Sequence, residues 1–372
     1  MKRIKKNLPL VIMFILCIPL GIVLSRQLAK IYAVSFLKGL SFLVEVVLSF
    51  AVSAYFAIIT HEGGHLIFGL ISGYKFSSFR VASLMFIKQD GKIKVKRFKL
   101  AGTGGQCLMC PPELNNDEYP VFLYNLGGVI VNVFFAVLAF ALYLLLDYIP
   151  FVSVTLLFIA VCSAYFAISN GIPLSAGGIS NDGMNALFLS KDKAASRVFY
   201  NQLLMNSAQS LGMRISEMPE EWFEIPEGAD KNNVHIASAA VFRASLPLDR
   251  GDTVVAEVEI SELLKSDYNI IGLHRALLTC DLISCCLINS SETDINSLLN
   301  ADVKKVISAM KSFPSIIRTE YIIALLHEKN EKRAEEIMAK YDKLTKNYPY
   351  SQDVECERSI MLKALQKHKN NI

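Results

Sequence analysis

Two histidines and a glutamate, His61, Glu62 and His65, interrupt an otherwise apolar run, FAIITHEGGHLIFGLISG, at residues 56–73. Positions i and i+4 of a helix share a face, so both imidazoles can present a nitrogen to one ion. Glu62 stands one residue on, placed to hydrogen-bond a water on that ion. This is the HExxH arrangement, in which Zn2+ lowers the pKa of its water toward ~7 and the carboxylate takes the proton as the water attacks a carbonyl. Ionisable groups inside a membrane span are costly, so three together imply work done in a protein interior or a water-filled cavity. A catalytic zinc site takes a third protein ligand and leaves its fourth position open. The stretch SNGIPLSAGGISNDGMN, residues 169–185, supplies Asn170, Pro173 and Asp182, and the loop before it supplies Glu113 and Asp117 as alternatives. Gly63 and Gly64 within the motif fit either close helix packing or the approach of an extended substrate strand.

These motifs resemble the site-2 protease family of intramembrane zinc peptidases, which pairs HExxH on one core helix with Asn-x-x-Pro and a later Asp-Gly on another. The resemblance covers about Phe42 to Asn185. It implies that His61, His65 and Asp182 ligate Zn2+, that Glu62 is the general base and that Asn170 lies near the substrate or the developing oxyanion. LGGVIVN, ending in Asn132, looks like the family's Gly-Pro-x-x-Asn helix, with Gly128 and Asn132 matching and Val129 in the proline position. The family has four residues between Pro and Asp, whereas Leu174 to Asn181 intervene here.

The elements that must position these groups are apolar. The chain has 372 residues, 52% hydrophobic and only 19% charged, against a usual charged share of about 25% in soluble domains. Apolar segments at Leu8–Leu24, Phe42–Ser72, Val121–Leu146 and Phe151–Ser169 are each long enough to cross about 30 Å of hydrocarbon. The first follows MKRIKK without a convincing cleavage pattern, which favours a retained anchor over a signal peptide. Lys2, Arg3, Lys5 and Lys6 precede it, and basic residues crowd the segment from Lys75 to Lys99, so both termini and the Tyr74–Pro120 loop are expected in the cytosol of a multi-pass cell-membrane protein. Within that loop, two β-leaning runs flank Asp90-Gly91, a hairpin-turn dipeptide, and AGTGGQCLMCPPE then breaks regular structure. The hairpin and the glycine segment, Gly104 and Gly105 in particular, are expected to hold an unwound substrate strand. Cys107 and Cys110 form a lone C-x-x-C without the second pair that a structural zinc site needs. A net charge of +4, with its basic residues beside apolar spans, gives no case for nucleic acid.

The expected fold is an α-helical integral membrane protein, with about four transmembrane helices and a small membrane-associated β-hairpin, followed by an all-α helical-repeat soluble domain. Residues 1–40 form an anchor and outer loop, 41–189 the metalloprotease core with its hairpin at 74–106, 190–232 a linker, and 233–372 a cytosolic domain similar to tetratricopeptide repeats. That similarity implies a protein or peptide partner. The leading expectation is a zinc endopeptidase cutting in or near transmembrane segments of membrane proteins or peptide precursors. The alternative is a catalytically silent membrane scaffold whose helical domain docks a partner.

Overall fold

The computed structural model describes residues 39–100, 103–146, 150–176 and 179–370, with isolated positions between 15 and 26. The apolar segment Leu8–Leu24 lies largely outside the described residues. The chain divides into two compact units, one of residues 1–81 and 104–192, the other of residues 82–103 and 193–372.

In the first unit, three helices are long and apolar enough to cross a membrane: α1 (Gly39–Ile71), α2 (Val121–Leu145) and α3 (Pro150–Gly171). Their outward faces carry large apolar side chains such as Val47, Phe50, Val137 and Leu144, each more than half exposed, as helices facing lipid require. The inward faces use small and polar residues. Ser49 and Ser53 of α1 bond to Thr155 of α3, and Gly64 of α1 meets Gly127 of α2 so closely that a methyl group on either would strike the other's backbone. Small residues of this kind let helices approach where the hydrophobic effect gives no drive. Strand β1 (Lys75–Val81) follows α1 and pairs antiparallel with β4 (Gly105–Cys110), with an irregularity between Phe76 and Ser78. After α3 comes a two-residue ladder, β5 (Ser175–Ala176) with β6 (Ile179–Ser180), and then the short helix α4 (Asp182–Leu189).

The second unit begins with strands β2 (Leu84–Gln89) and β3 (Lys92–Arg97), joined by Asp90-Gly91 with φ of 52° and 73°. Two consecutive residues in the left-handed region make the tight turn that this dipeptide favours. The sequence boundaries group residues 74–106 with the membrane core. In the structure that segment divides: β1 and β4 pair in the first unit, while β2 and β3 belong with the helical unit, where Gln89 donates to the Pro349 carbonyl and Phe98 rests among Phe313, Tyr348 and Tyr350.

The rest of the second unit is helical: α5 (Lys193–Ser210), α6 (Val234–Asp249), α7 (Thr253–Lys265), α8 (Gly272–Asn289), α9 (Ile295–Leu298), α10 (Ala301–Ala309), α11 (Pro314–Ile322), α12 (Glu331–Thr345) and α13 (Ser351–Asn370). Side chains of Asn233, Asp252, Asn300 and Asn330 cap the starts of α6, α7, α10 and α12. The core gathers Ile260, Ile283, Ile316, Ile317, Tyr341 and Met361, all essentially inaccessible. Arg318 is also fully buried, held by Asp281 on α8 and Glu357 on α13. Nearby, burial together with Asp249 pushes the Asp353 carboxyl up to about 7, from an ordinary 3.8. Between those two values the folded state keeps a proton that the unfolded chain has released. Stability contributed by this group is therefore complete below about 4 and lost as pH rises through 7, with a slope of up to ~1.4 kcal/mol per pH unit. Urea melts followed through Trp222 at pH 5 to 8 are expected to lose midpoint with rising pH, and Asp353→Asn is expected to flatten that trend.

Candidate metal centre

His61 and His65 lie on the inward face of α1, both more than nine-tenths buried. Their Nε2 atoms stand 3.3 Å apart. The Asp182 Oδ2 completes a triangle, 3.0 Å from the His61 Nε2 and 3.4 Å from the His65 Nε2. Among the described residues these three form the one group able to hold a metal ion. For a tetrahedral ion with ligands at about 2.0–2.1 Å, ligand-to-ligand edges are about 3.3 Å. The residues present fit zinc: two imidazoles, one carboxylate, and edges of the required length. The Asp182 side chain is 21% exposed, but the Oδ2 that completes the triangle is itself buried.

Asp182 reaches this position through its neighbour. Asn181 caps α4 by accepting from the Met184 amide at 3.0 Å, and the same oxygen accepts from the Leu174 amide at 3.0 Å. Its side-chain NH2 donates to the carbonyls of Ser169 and Ile172, both at 2.7 Å. One side chain thus closes the loop from 174 to 181 and returns the chain to the end of α3. The extra residues before Asp182 are taken up by β5 and β6, and the carboxylate faces the histidines despite them.

The outer nitrogens of both rings are also engaged. His65 Nδ1 donates to the Tyr124 carbonyl at 2.8 Å, which leaves its Nε2 lone pair pointing inward. His61 Nδ1 lies 3.3 Å from the Asn132 side-chain amide, whose other end is 2.9 Å from the Thr60 hydroxyl. In the structure the Asn132 NH2 faces the His61 Nδ1 and the Asn132 oxygen accepts from the Thr60 hydroxyl. A metal on the His61 Nε2 requires a proton on Nδ1, so in the metal-bound state the Asn132 amide turns over, its oxygen accepting from His61 and its NH2 donating to Thr60. Thr60 can then give its own proton to the Phe56 carbonyl, 2.9 Å away. Asn132→Ala is expected to weaken zinc binding by about 10- to 100-fold, as loss of such supporting partners typically does, measured by competition with a zinc chelator.

Glycines shape the space around these groups. A Cβ on Gly128 would stand 2.7 Å from the His61 ring, and one on Gly105 would stand 2.6 Å from the Glu62 Oε1. Gly104 lies against Ile58, one turn along α1, where a Cβ would be 3.0 Å from its Cδ1. Strand β4 therefore runs directly against the glutamate. Arg80, buried on β1, donates to the Gly105 carbonyl at 3.3 Å and adds a positive charge near Glu62.

Of the residues singled out in the sequence, His61, His65 and Asp182 converge, with Glu62, Gly104 and Gly105 beside them. Asn170 does not join them through its side chain, which donates to the Phe166 carbonyl of its own helix at 3.0 Å. Glu113 and Asp117 are not part of the metal-ligating group. Cys107 and Cys110 both sit on β4, where a separation of three residues points them to opposite faces. Sequence reading missed Thr60, Tyr124 and Asn181. Asn181 left one signal, a capping residue type directly before Asp-Gly, whereas a backbone acceptor such as the Tyr124 carbonyl leaves none. Comparison with known proteins finds no matching family model, no matching curated protein and no matching solved structure.

Proposed function

We propose that this protein is a membrane-embedded zinc endopeptidase of the site-2 protease type, hydrolysing peptide bonds in or near transmembrane segments of membrane proteins or peptide precursors. The observation that carries the reading is Glu62, set beside a closed His-His-Asp triangle on a helix long enough to span a bilayer. His61, His65 and Asp182 would hold Zn2+, which when bound acidifies a water and polarises a carbonyl. Glu62 takes the proton from the attacking water and passes it to the leaving amide nitrogen. Gly105 gives its carboxylate room to move between the two. The buried histidines and their fixed outer partners hold the ligand atoms in place, so no reorganisation is needed at the moment of reaction.

Ten residues of α1 follow His61, placing it about 15 Å from the end of the helix. Water must reach the centre by a cavity. A substrate helix must unwind before attack, because its carbonyls are already hydrogen-bonded. Among the described residues β4 is an edge strand paired with β1 alone, so its outer edge suits an extended strand next to Glu62. The test is metal stripping and restoration. Purified protein in vesicles containing single-span membrane proteins should lose cleavage with a zinc chelator and regain it with stoichiometric Zn2+. A zinc-loaded protein that cuts nothing in a broad substrate set favours the silent scaffold, and cleavage that survives stripping overturns the role given to zinc.

A further inference from the structure

The hairpin of β2 and β3 has two unlike faces. Register pairs Met85 with Lys96, Ile87 with Lys94 and Gln89 with Lys92 on one face. There Met85 and Ile87 are buried, Gln89 bonds to Pro349, and Phe98 is packed among the aromatic rings of the helical unit. Register pairs Phe86 with Val95, Leu84 with Arg97 and Lys88 with Ile93 on the other. On this second face Ile93 is 62% exposed, Val95 58% and Leu84 45%, with Phe86 half-buried among them.

Charge says what covers it. Residues 88–99 hold six basic side chains (Lys88, Lys92, Lys94, Lys96, Arg97 and Lys99) against one acid, Asp90, which is paired with Lys94 at 2.7 Å. Lys88 and Arg97 stand among the exposed aliphatic residues of this face, while Lys92, Lys94 and Lys96 project from the opposite face of the hairpin. Aliphatic side chains with cations beside them match the interface of an anionic bilayer, where acyl chains accept the former and headgroups the latter. Residues 72–83 alone separate this hairpin from α1, so the chain keeps it at high effective concentration near a membrane surface. We infer that the outer face of the β2–β3 hairpin is a lipid-binding surface that moors the helical unit to an anionic membrane leaflet. This inference does not depend on the peptidase reading.

Trp222 is the sole tryptophan, so a Trp222→Phe background carrying Val95→Trp reports from the hairpin alone. The full-length protein is reconstituted in vesicles of phosphatidylcholine with or without phosphatidylserine, the acyl chains brominated near the headgroup. The introduced indole should shift to the blue and be quenched by the brominated chains, at least twofold more with phosphatidylserine, and resist aqueous iodide. Adding Lys88→Glu and Arg97→Glu should abolish the difference, since each basic residue is worth roughly fivefold in partition. Ile93→Trp repeats the measurement should Val95→Trp disturb folding. Equal iodide quenching in both vesicle types overturns the inference. Protection from both quenchers also overturns it, because a protein surface would then cover the face.

Discussion

Glu62→Gln is expected to cut hydrolysis of a membrane-span substrate by about 10²- to 10⁴-fold while the protein retains its zinc. The substitution keeps size and polarity but removes the proton acceptor. None of the three ligand atoms belongs to Glu62, and the rings of His61 and His65 are fixed by Asn132 and by the Tyr124 carbonyl. Metal content and activity should therefore separate cleanly, with turnover lost and substrate binding kept. If zinc is lost together with activity, Glu62 shapes the centre rather than moving protons. If activity is unchanged, the proton passes through some other group.

Asp182→Ala is expected to have the opposite signature. Removing the carboxylate leaves two imidazole ligands, too few for a tetrahedral centre, so zinc affinity should fall by more than the ~10- to 100-fold typical of an outer partner, and activity should fall with it. The protein should stay folded, because Asn181 rather than Asp182 makes the bonds that hold the loop. Zinc titration by chelator competition, beside a thermal melt, measures both. Unchanged zinc affinity would move the third ligand to another acid, with Glu113 and Asp117 the first to examine.

What could be read from the sequence was local. Three of the four helix-length apolar runs, the i and i+4 histidines and the Asp90-Gly91 turn carry their signal locally and are found in the structure, while the first run lies largely outside the described residues. The third ligand was harder, because Asp182 is 117 residues beyond His65 in the chain. Its loop is longer than in the family that the motifs resemble, and only the four side-chain hydrogen bonds of Asn181 show how those residues fold away. The pairing of β1 with β4 is likewise non-local, and so is the contact of Gly105 with Glu62. Gly128 and Asn132 were noticed through resemblance to a motif. Their physical tasks, clearance for the His61 ring and a bond to its outer nitrogen, follow only from the packing of α1 against α2.

If this centre cuts membrane proteins, at least one of them must remain uncut when Glu62 is disabled. The most direct measurement compares the membrane proteome of cells carrying the native protein with that of cells carrying Glu62→Gln, made at equal level and zinc-loaded. A single-span protein or clipped precursor is expected to accumulate in the mutant, with a fragment ending within or beside its span missing. Identical proteomes from the two cell lines would contradict the peptidase reading.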